Sequence, residues 1–119
     1  MTPEIKRQML VANGLRESGQ LKAAEEILVR LAVENPKSTE ILAVLGDAYW
    51  DLGRLDNAVQ TLRRATVLSP TLELVSLGLF HCLWKLGKRN EAMEEVKRFQ
   101  TISDSQDYRE IVEEINKGC

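Results

Sequence analysis

The chain has 119 residues, of which 44% are hydrophobic, 5% are aromatic and 29% are charged. This balance is typical of a helical protein of one domain and argues against a disordered chain. Sixteen basic and eighteen acidic residues give a formal charge of −2, so the basic surface needed for nucleic-acid binding is not expected.

The cysteine count and the hydropathy pattern indicate where the protein works. Cys82 and Cys119 are too few for the disulfide framework of a small secreted domain. The first residues, MTPEIKRQMLVANGL, lack the apolar run of a signal peptide, and no stretch is long enough to span a membrane. We therefore expect a cytoplasmic protein without membrane insertion.

The N-terminal residues predict a helical hairpin. The segment Thr2-Pro3-Glu4 is a helix start, because a hydroxyl N-cap, an early proline and an acid in the first turn all favour a helix N-terminus. This helix should run to about Ser18, where Gly19 breaks the chain. A second helix follows, and Asn35-Pro36 ends it because the residue before a proline disfavours the helical conformation.

A second hairpin follows at residues 39–72, with helices predicted over about 38–52 and 55–68. Its sequence is TEILAVLGDAYWDLGRLDNAVQTLRRATVLSPTL. We expect Gly46 and Ala58 to form the close contact between its two helices. A larger side chain at either position would push the helices apart, at a cost of about 1–3 kcal/mol.

Three residue types recur every 34 positions along the chain. They are glycine at 19, 53 and 87, alanine at 24, 58 and 92, and proline at 36 and 70. With the Leu-Gly-x-x-Tyr spacing at residues 45–49, this pattern resembles the tetratricopeptide repeat, a 34-residue helix-turn-helix unit. Each such hairpin cannot bury its apolar face alone, so about three must stack.

The resemblance implies an all-α, right-handed solenoid that forms a single domain over residues 1–119. Repeats are expected at about 5–38, 39–72 and 73–104, followed by a capping helix at about 105–117. The third repeat departs from the pattern, since Phe80 takes the position of Gly46 and Ser76 takes the position at which the family prefers tryptophan. We expect Phe80 to fill the space that Ser76 leaves.

The capping helix has its own sequence signals. Ser103 with Gln106 resembles a capping box, and Tyr108, Ile111 and Ile115 follow at helical spacing. These apolar positions lie one residue off the 34-residue register. We therefore predict that the loop before this helix is one residue longer than the loop after residue 68.

The family resemblance also implies a binding surface. In the family, the first helix of each repeat lines a concave groove with residues that share one helical face. Transferred to this sequence, these positions predict a partner-binding groove formed by Met9, Asn13, Arg16, Asp47, Trp50, Asp51, Leu74, Leu77, His81, Trp84 and Lys85.

Trp50 and Trp84 occupy the same repeat position. Exposed aromatic anchors with a polar rim suit an extended peptide or an amphipathic helix. The alternative is that both rings pack against neighbouring helices, since aromatic residues at helical spacing usually belong to the core. We favour Trp84 over Trp50 as an anchor, and we interpret His81 as a partly exposed wall residue.

One specific partner is not expected. Repeat proteins that bind the acidic C-terminal tail of heat-shock chaperones use a clamp of lysine, asparagine, asparagine, lysine and arginine. The corresponding residues here are Met9, Asn13, Val44, Leu74 and Gly78. Only Asn13 matches, and the charge-assisted hydrogen bonds of the clamp would be missing.

The sequence does not predict an enzyme. His81 and Cys82 are neighbours on a helix and point in different directions, and no residues show metal-ligand spacing. We interpret Cys82 as buried filler and Cys119 as a mobile end, and we expect no cofactor. The leading hypothesis is an adaptor or chaperone-like module that holds a partner protein. The alternatives are an inhibitor or immunity-type protein that masks its partner, and an assembly protein that associates with itself through its terminal helices.

Overall fold

Seven α-helices make up most of residues 1–118, the part of the chain that the computed structural model describes. No strand occurs within that range. The helices are α1 (Pro3–Glu17), α2 (Leu21–Glu34), α3 (Thr39–Asp51), α4 (Leu55–Leu68), α5 (Glu73–Lys85), α6 (Arg89–Ile102) and α7 (Gln106–Lys117). They build an elongated all-α solenoid of 46 × 27 × 20 Å. None of the helices in residues 1–118 is long and apolar enough to cross a membrane.

The turn inside each hairpin is the same structure, built around a glycine in the left-handed region. Gly19, Gly53 and Gly87 have φ angles of 83°, 75° and 79°. In the first turn the Gly19 N–H donates to the Arg16 carbonyl and the Gln20 N–H donates to the Leu15 carbonyl. This is a Schellman motif, and the other two turns repeat its bonds. The 34-residue glycine spacing is therefore a repeat of backbone geometry.

The turns between hairpins depend on proline and on hydroxyl caps. Helix α2 ends at Asn35 and α4 ends at Ser69, and a proline follows each of them. Helix α3 is then capped by the Ser38 hydroxyl, which accepts from the Ile41 N–H, whereas the N-cap of α5 is Leu72 and has no side-chain hydrogen bond. The predicted cap at Thr2 is confirmed, since its hydroxyl accepts from the Ile5 N–H.

The core lies between the two helices of each hairpin and between consecutive hairpins. The alanines of the 34-residue pattern, Ala24, Ala58 and Ala92, are fully buried. The close contact of the second hairpin is different from the predicted one. A Cβ atom at Gly46 would lie 2.6 Å from Leu62 Cδ2, so Leu62 rather than Ala58 is the residue against which Gly46 packs.

The third hairpin has a polar cluster in its core. Ser76 is fully buried, and its hydroxyl lies 2.5 Å from Glu95 Oε2 and 2.6 Å from the Tyr108 hydroxyl. Arg98 donates two hydrogen bonds to the Glu95 carboxylate, which balances the buried charge. The neighbours of the Ser76 hydroxyl are therefore Glu95 and Tyr108, whereas the Phe80 ring meets the Tyr108 ring edge-on at 5.9 Å. The expectation that Phe80 fills the space at Ser76 was incomplete.

The N-cap of α7 differs from the predicted one, although the helix begins within one residue of the expected start at about 105. Its N-cap is Ser105, whose hydroxyl accepts from the Tyr108 N–H, so Ser103 does not form the capping box. The preceding loop spans residues 103–105, whereas the loop after α4 spans residues 69–72. The loop is thus one residue shorter, and the prediction of a longer loop was wrong. The shorter loop places Tyr108 where Val75 lies one repeat earlier, and both side chains are buried.

Candidate functional site

The first helices of the hairpins, with α7, form one face of the solenoid, and three clefts follow one another along it. The first cleft lies between α1 and α3, the second between α3 and α5, and the third between α5 and α7. Their volumes are about 350, 220 and 740 Å³. His81 lines both the second and the third cleft, so these two clefts are adjacent. We refer to the three clefts together as the groove.

The first cleft is polar and holds an ion pair between helices. Arg16 Nε donates to Asp51 Oδ2 at 2.8 Å, and Arg16 Nη1 donates to Asn13 Oδ1 at 3.4 Å. The Arg16 side chain is only 22% exposed, so this pair is partly shielded from water. It connects α1 to α3 and gives this end of the groove a fixed arrangement of charge.

The second cleft is lined by small and apolar groups with one carboxylate. Gly46, Gly78 and Leu62 leave it open, and Asp47 and Trp50 lie along it. Loss of hydration raises the pKa of Asp47 above its ordinary value, an effect that Arg16 opposes and Asp51 strengthens. A cationic group that entered the second cleft would therefore relieve an unfavourable environment of Asp47.

The two tryptophans of the groove differ in exposure. The Trp50 ring is 37% exposed, and the Lys85 ammonium lies 4.9 Å from its centroid. Trp84 is half-buried, since it stacks on Phe80 at 5.7 Å and is covered by the Arg89 guanidinium at 4.6 Å. Trp50 is thus the more exposed of the two residues, whereas the sequence favoured Trp84 as the anchor.

The third cleft has apolar walls and an acidic rim. Leu77, Phe80 and Trp84 of α5 face Ile111 and Ile115 of α7 across it. The carboxylates of α7 that border the cleft are those of Asp107, Glu110 and Glu114. Space for a partner side chain is therefore surrounded by negative charge on the α7 side.

Nine of the eleven predicted residues line the groove or contact a residue that does. Two do not. Met9 is 5% exposed and belongs to the core, so it offers almost no surface to a partner. Leu74 is 80% exposed at the start of α5 but lies outside the three clefts. Burial of Met9 follows from its packing in the core cluster together with Ala12 and Leu28, which its repeat position alone does not reveal.

Sequence reasoning missed the residues of the third cleft that lie outside the first helices. Arg89 belongs to α6, and Glu110, Ile111 and Glu114 belong to α7. The sequence predicted groove residues only on the three repeats, and it predicted α7 as a helix that closes the solenoid. The signal for α7 was its apolar spacing from Tyr108 to Ile115, which equally suits a helix that borders a groove.

The groove carries no arrangement that points to catalysis. Cys82 is 1% exposed, and burial, with the nearby Asp47 charge, raises the pKa of its thiol to about 11. The thiol therefore stays protonated, whereas the neighbouring His81 faces solvent. Within residues 1–118, no group of three or more His, Cys, Asp or Glu side chains is placed to hold a metal ion. The prediction of a mobile end at Cys119 concerns a residue outside that range.

Comparison with known proteins agrees with the repeat pattern. A tetratricopeptide repeat family model matches residues 15–71, which include the first glycine turn and the whole second hairpin. No curated protein sequence matches the chain significantly. The sequence resemblance to this family is thereby confirmed.

Solved structures with the same fold are interaction proteins. The type III secretion translocator chaperone SycD of Yersinia enterocolitica is 17% identical, with a TM-score of 0.79 over 98% of this chain and 89% of that chain. SycD in complex with a peptide of the translocator YopD gives a TM-score of 0.80 at 17% identity, over 98% and 90% of the two chains. The second such domain of Spaghetti (RPAP3), bound to the HSP90 peptide SRMEEVD, gives 0.74 at 18% identity, over 85% and 94%. At these identities the similarity concerns the fold.

Proposed function

Since this chain carries tetratricopeptide repeats and folds as they do, we propose that it is an adaptor or chaperone-like module that holds a partner polypeptide in its groove. The observation that carries this proposal is the exposed side chain of Trp50, which lines the second cleft, between the polar first cleft and the apolar walls of the third. Aromatic side chains at the centre of a groove with a polar rim are the usual anchors of protein interfaces. A partner would bury the ring and pair with the charges around it.

The fold comparisons support a peptide as the occupant. One neighbour of the fold was solved with a translocator peptide and another with a heat-shock chaperone peptide. We do not expect this chain to bind the heat-shock chaperone peptide. At the five clamp positions Met9 is buried, Gly78 has no side chain, and Leu74 and Val44 are apolar, so a carboxylate terminus would find only Asn13.

The cellular site is part of the same proposal. Two cysteines are too few for the disulfide framework of a small secreted domain, and Cys82 is a free thiol, so we propose that the protein works in the cytoplasm. A partner held there would be either escorted or masked, and the same groove serves both an adaptor and an inhibitor.

Affinity capture from native lysate tests the groove. The wild type is compared with a Trp50→Ala/Trp84→Ala variant, and retained proteins are identified by mass spectrometry. We expect a partner that the wild type retains and the double variant loses. Val67→Ala is the matched control, because Val67 is 79% exposed on α4, outside the three clefts. Equal retention by all three proteins would rule out the groove as the working surface.

A second candidate function is self-association through the terminal helices. Leu10 and Val11 of α1 are 72% and 52% exposed, which leaves apolar surface on the first helix of the solenoid. A partner copy could cover this surface. Sedimentation equilibrium over a wide concentration range, with Leu10→Glu beside the wild type, tests this candidate. A wild type that stays monomeric at high concentration contradicts it.

A further inference from the structure

The third cleft lies between two helices, α5 and α7. Helix α7 is anchored near its start, where Tyr108 is its only buried residue among those described. Beyond that point Ile111, Val112 and Ile115 are partly buried against the core, and the cleft of about 740 Å³ opens beside them. Helix α7 has 12 residues, which correspond to a length of about 18 Å. A partner helix laid along α7 would therefore run beside it for at most about three turns.

The walls of the third cleft are apolar and favour a partner with apolar side chains. Leu77, Phe80 and Trp84 lie on the α5 side, and their spacing of three to four residues places them on one helical face. Ile111 stands across from them on α7. A partner helix with apolar residues at every third or fourth position would cover the partly exposed side chains of Leu77, Trp84 and Ile111. Phe80 is 3% exposed and supports them from below.

The rim of the cleft selects positive charge. Asp107, Glu110 and Glu114 border it, and within residues 1–118 none of them takes part in an ion pair. The basic residues of α7 are engaged elsewhere, since Arg109 pairs with Asp104 and Lys117 pairs with Glu113 at 3.7 Å.

The basic residue on the opposite wall does not cancel this charge. The Arg89 guanidinium lies over the Trp84 ring, 4.6 Å from its centroid. The second basic residue nearby, Lys85, lies over the Trp50 ring at 4.9 Å. Three carboxylates therefore face one guanidinium across the cleft, and its net charge is negative.

We propose that the third cleft binds a basic amphipathic helix of the partner, with its apolar face against α5 and its lysine or arginine side chains paired with the carboxylates of α7. The proposal rests on the proposed function and names the chemistry of the partner. Complementary charge would speed the encounter and set the orientation of the helix, while the apolar face would supply most of the affinity.

The test uses two synthetic peptides of about three to four helical turns. Both carry leucine at every third or fourth position, one with lysine and the other with glutamate at the remaining sites. Binding of the labelled peptides to the full chain is followed by fluorescence anisotropy. We expect the wild type to bind the lysine peptide at least about tenfold more tightly, the effect of two or three partly exposed ion pairs.

Charge reversal on α7 gives the decisive comparison. In a Glu110→Lys/Glu114→Lys variant, the preference should move to the glutamate peptide. Glu113→Lys is the matched control, because Glu113 lies on the same helix outside the cleft and its replacement should leave the preference unchanged. Circular dichroism establishes that the variants are folded.

Each outcome decides a different point. If the wild type binds neither peptide, or if both variants behave alike, the proposal is wrong. If the wild type retains a lysate partner that the tryptophan double variant loses, while charge reversal on α7 has no effect, the groove function stands and the basic helix does not. If the wild type is dimeric and the Glu110→Lys/Glu114→Lys variant is monomeric, the cleft is occupied by a second copy, which also overturns the proposal.

Discussion

The second and third hairpins have the same backbone fold, but the large side chain that fills the core belongs to the second helix in one and to the first helix in the other. In the second, Gly46 has no side chain, and Leu62 of α4 fills the space against it. In the third, the equivalent positions hold Phe80 and Val96, both buried, so the large side chain belongs to the first helix. The glycine turn that joins the two helices is the same in both.

The difference extends to the next interface. Leu62 also reaches Gly78, so the second and third hairpins meet through a small-to-large apolar contact. The third hairpin meets α7 through the hydrogen bonds of Ser76, Glu95 and Tyr108, beside which the third cleft remains open. The Tyr108 ring also packs against Phe80 and Phe99. Helix α7 is therefore held by polar and apolar contacts together, with Ile111, Val112 and Ile115 partly buried on the core and the third cleft open beside them.

The largest expected effect comes from disrupting the contact between Gly46 and Leu62. Gly46→Val places a Cβ within 2.6 Å of Leu62 Cδ2 and 2.8 Å of its Cγ. The Leu62 side chain would have to shift within the core, so we expect a loss of about 1–3 kcal/mol in the free energy of unfolding, measured by urea denaturation.

Gly78→Ala is the matched control for the same leucine. A Cβ there would lie 3.4 Å from Leu62 Cδ1, an ordinary contact distance. Alanine is the better helix former, so this variant should gain about 0.5–1 kcal/mol in the free energy of unfolding. If the two variants lose stability equally, Leu62 is not the residue that distinguishes them.

The interface between the third hairpin and α7 should be weakened by alkaline pH. Burial raises the pKa of Tyr108 from 10.0 to about 12, with a contribution from the Glu95 charge and partly against the hydrogen bond from Ser76. The folded state therefore favours the protonated phenol. Its contribution, on the order of 2–3 kcal/mol for a shift of about two pH units, is complete below pH 10 and is lost as the pH rises to about 12.

A Tyr108→Phe variant isolates this contribution from other groups that titrate at high pH. Its unfolding free energy should fall less steeply than that of the wild type between pH 10 and 12, as measured by urea denaturation at each pH. Parallel curves for the two proteins would mean that Tyr108 ionises freely in the folded state.

At neutral pH the hydrogen bonds themselves can be removed one at a time. Ser76→Ala leaves the Tyr108 hydroxyl and one Glu95 oxygen without their buried partner, which should cost about 1–2 kcal/mol. Combined with Tyr108→Phe, the loss should be smaller than the sum of the two single losses, because both variants remove the same bond. Additive losses would show that the three residues do not act as one network.

The smallest expected effect concerns the reactivity of the Cys82 thiol, which reports how firmly α5 packs against its neighbours. Cys82 lines the second cleft, and its thiol has a pKa raised to about 11, mainly by burial. In a Cys119→Ser background, iodoacetamide at pH 8 should leave the folded protein unmodified for hours and alkylate it quickly in urea. Rapid alkylation of the folded protein would mean that α5 separates from α3 and α4 far more readily than the buried thiol suggests.

The repeat pattern allowed most of the backbone to be predicted. Helix α4 has the predicted ends, and α1 and α3 end within one residue of theirs. The reason is local, since a glycine at φ near 80° and a residue before a proline each stop a helix whatever lies around them. The N-cap of α7 was not predicted correctly, because Ser105 rather than Ser103 caps this helix, whose Tyr108 is buried.

The groove was less predictable than the backbone. Asn13, Asp47 and His81 hold the same repeat position on three helices, and each of them lines one of the clefts. The position of a residue on a helical face does not predict which residues of other helices pack against it. Met9 is covered and Trp50 is open for reasons that depend on helices far away in sequence.

The sequence by itself therefore determined the 34-residue period, the helix ends within the repeats and the class of protein, because each depends on residues close together in the chain. The tertiary structure decided that Leu62 rather than Ala58 packs against Gly46, that a buried Ser76 binds Glu95 and Tyr108, and that α7 borders an acidic cleft. These are contacts between helices, and their distances depend on the volumes and charges that meet across an interface.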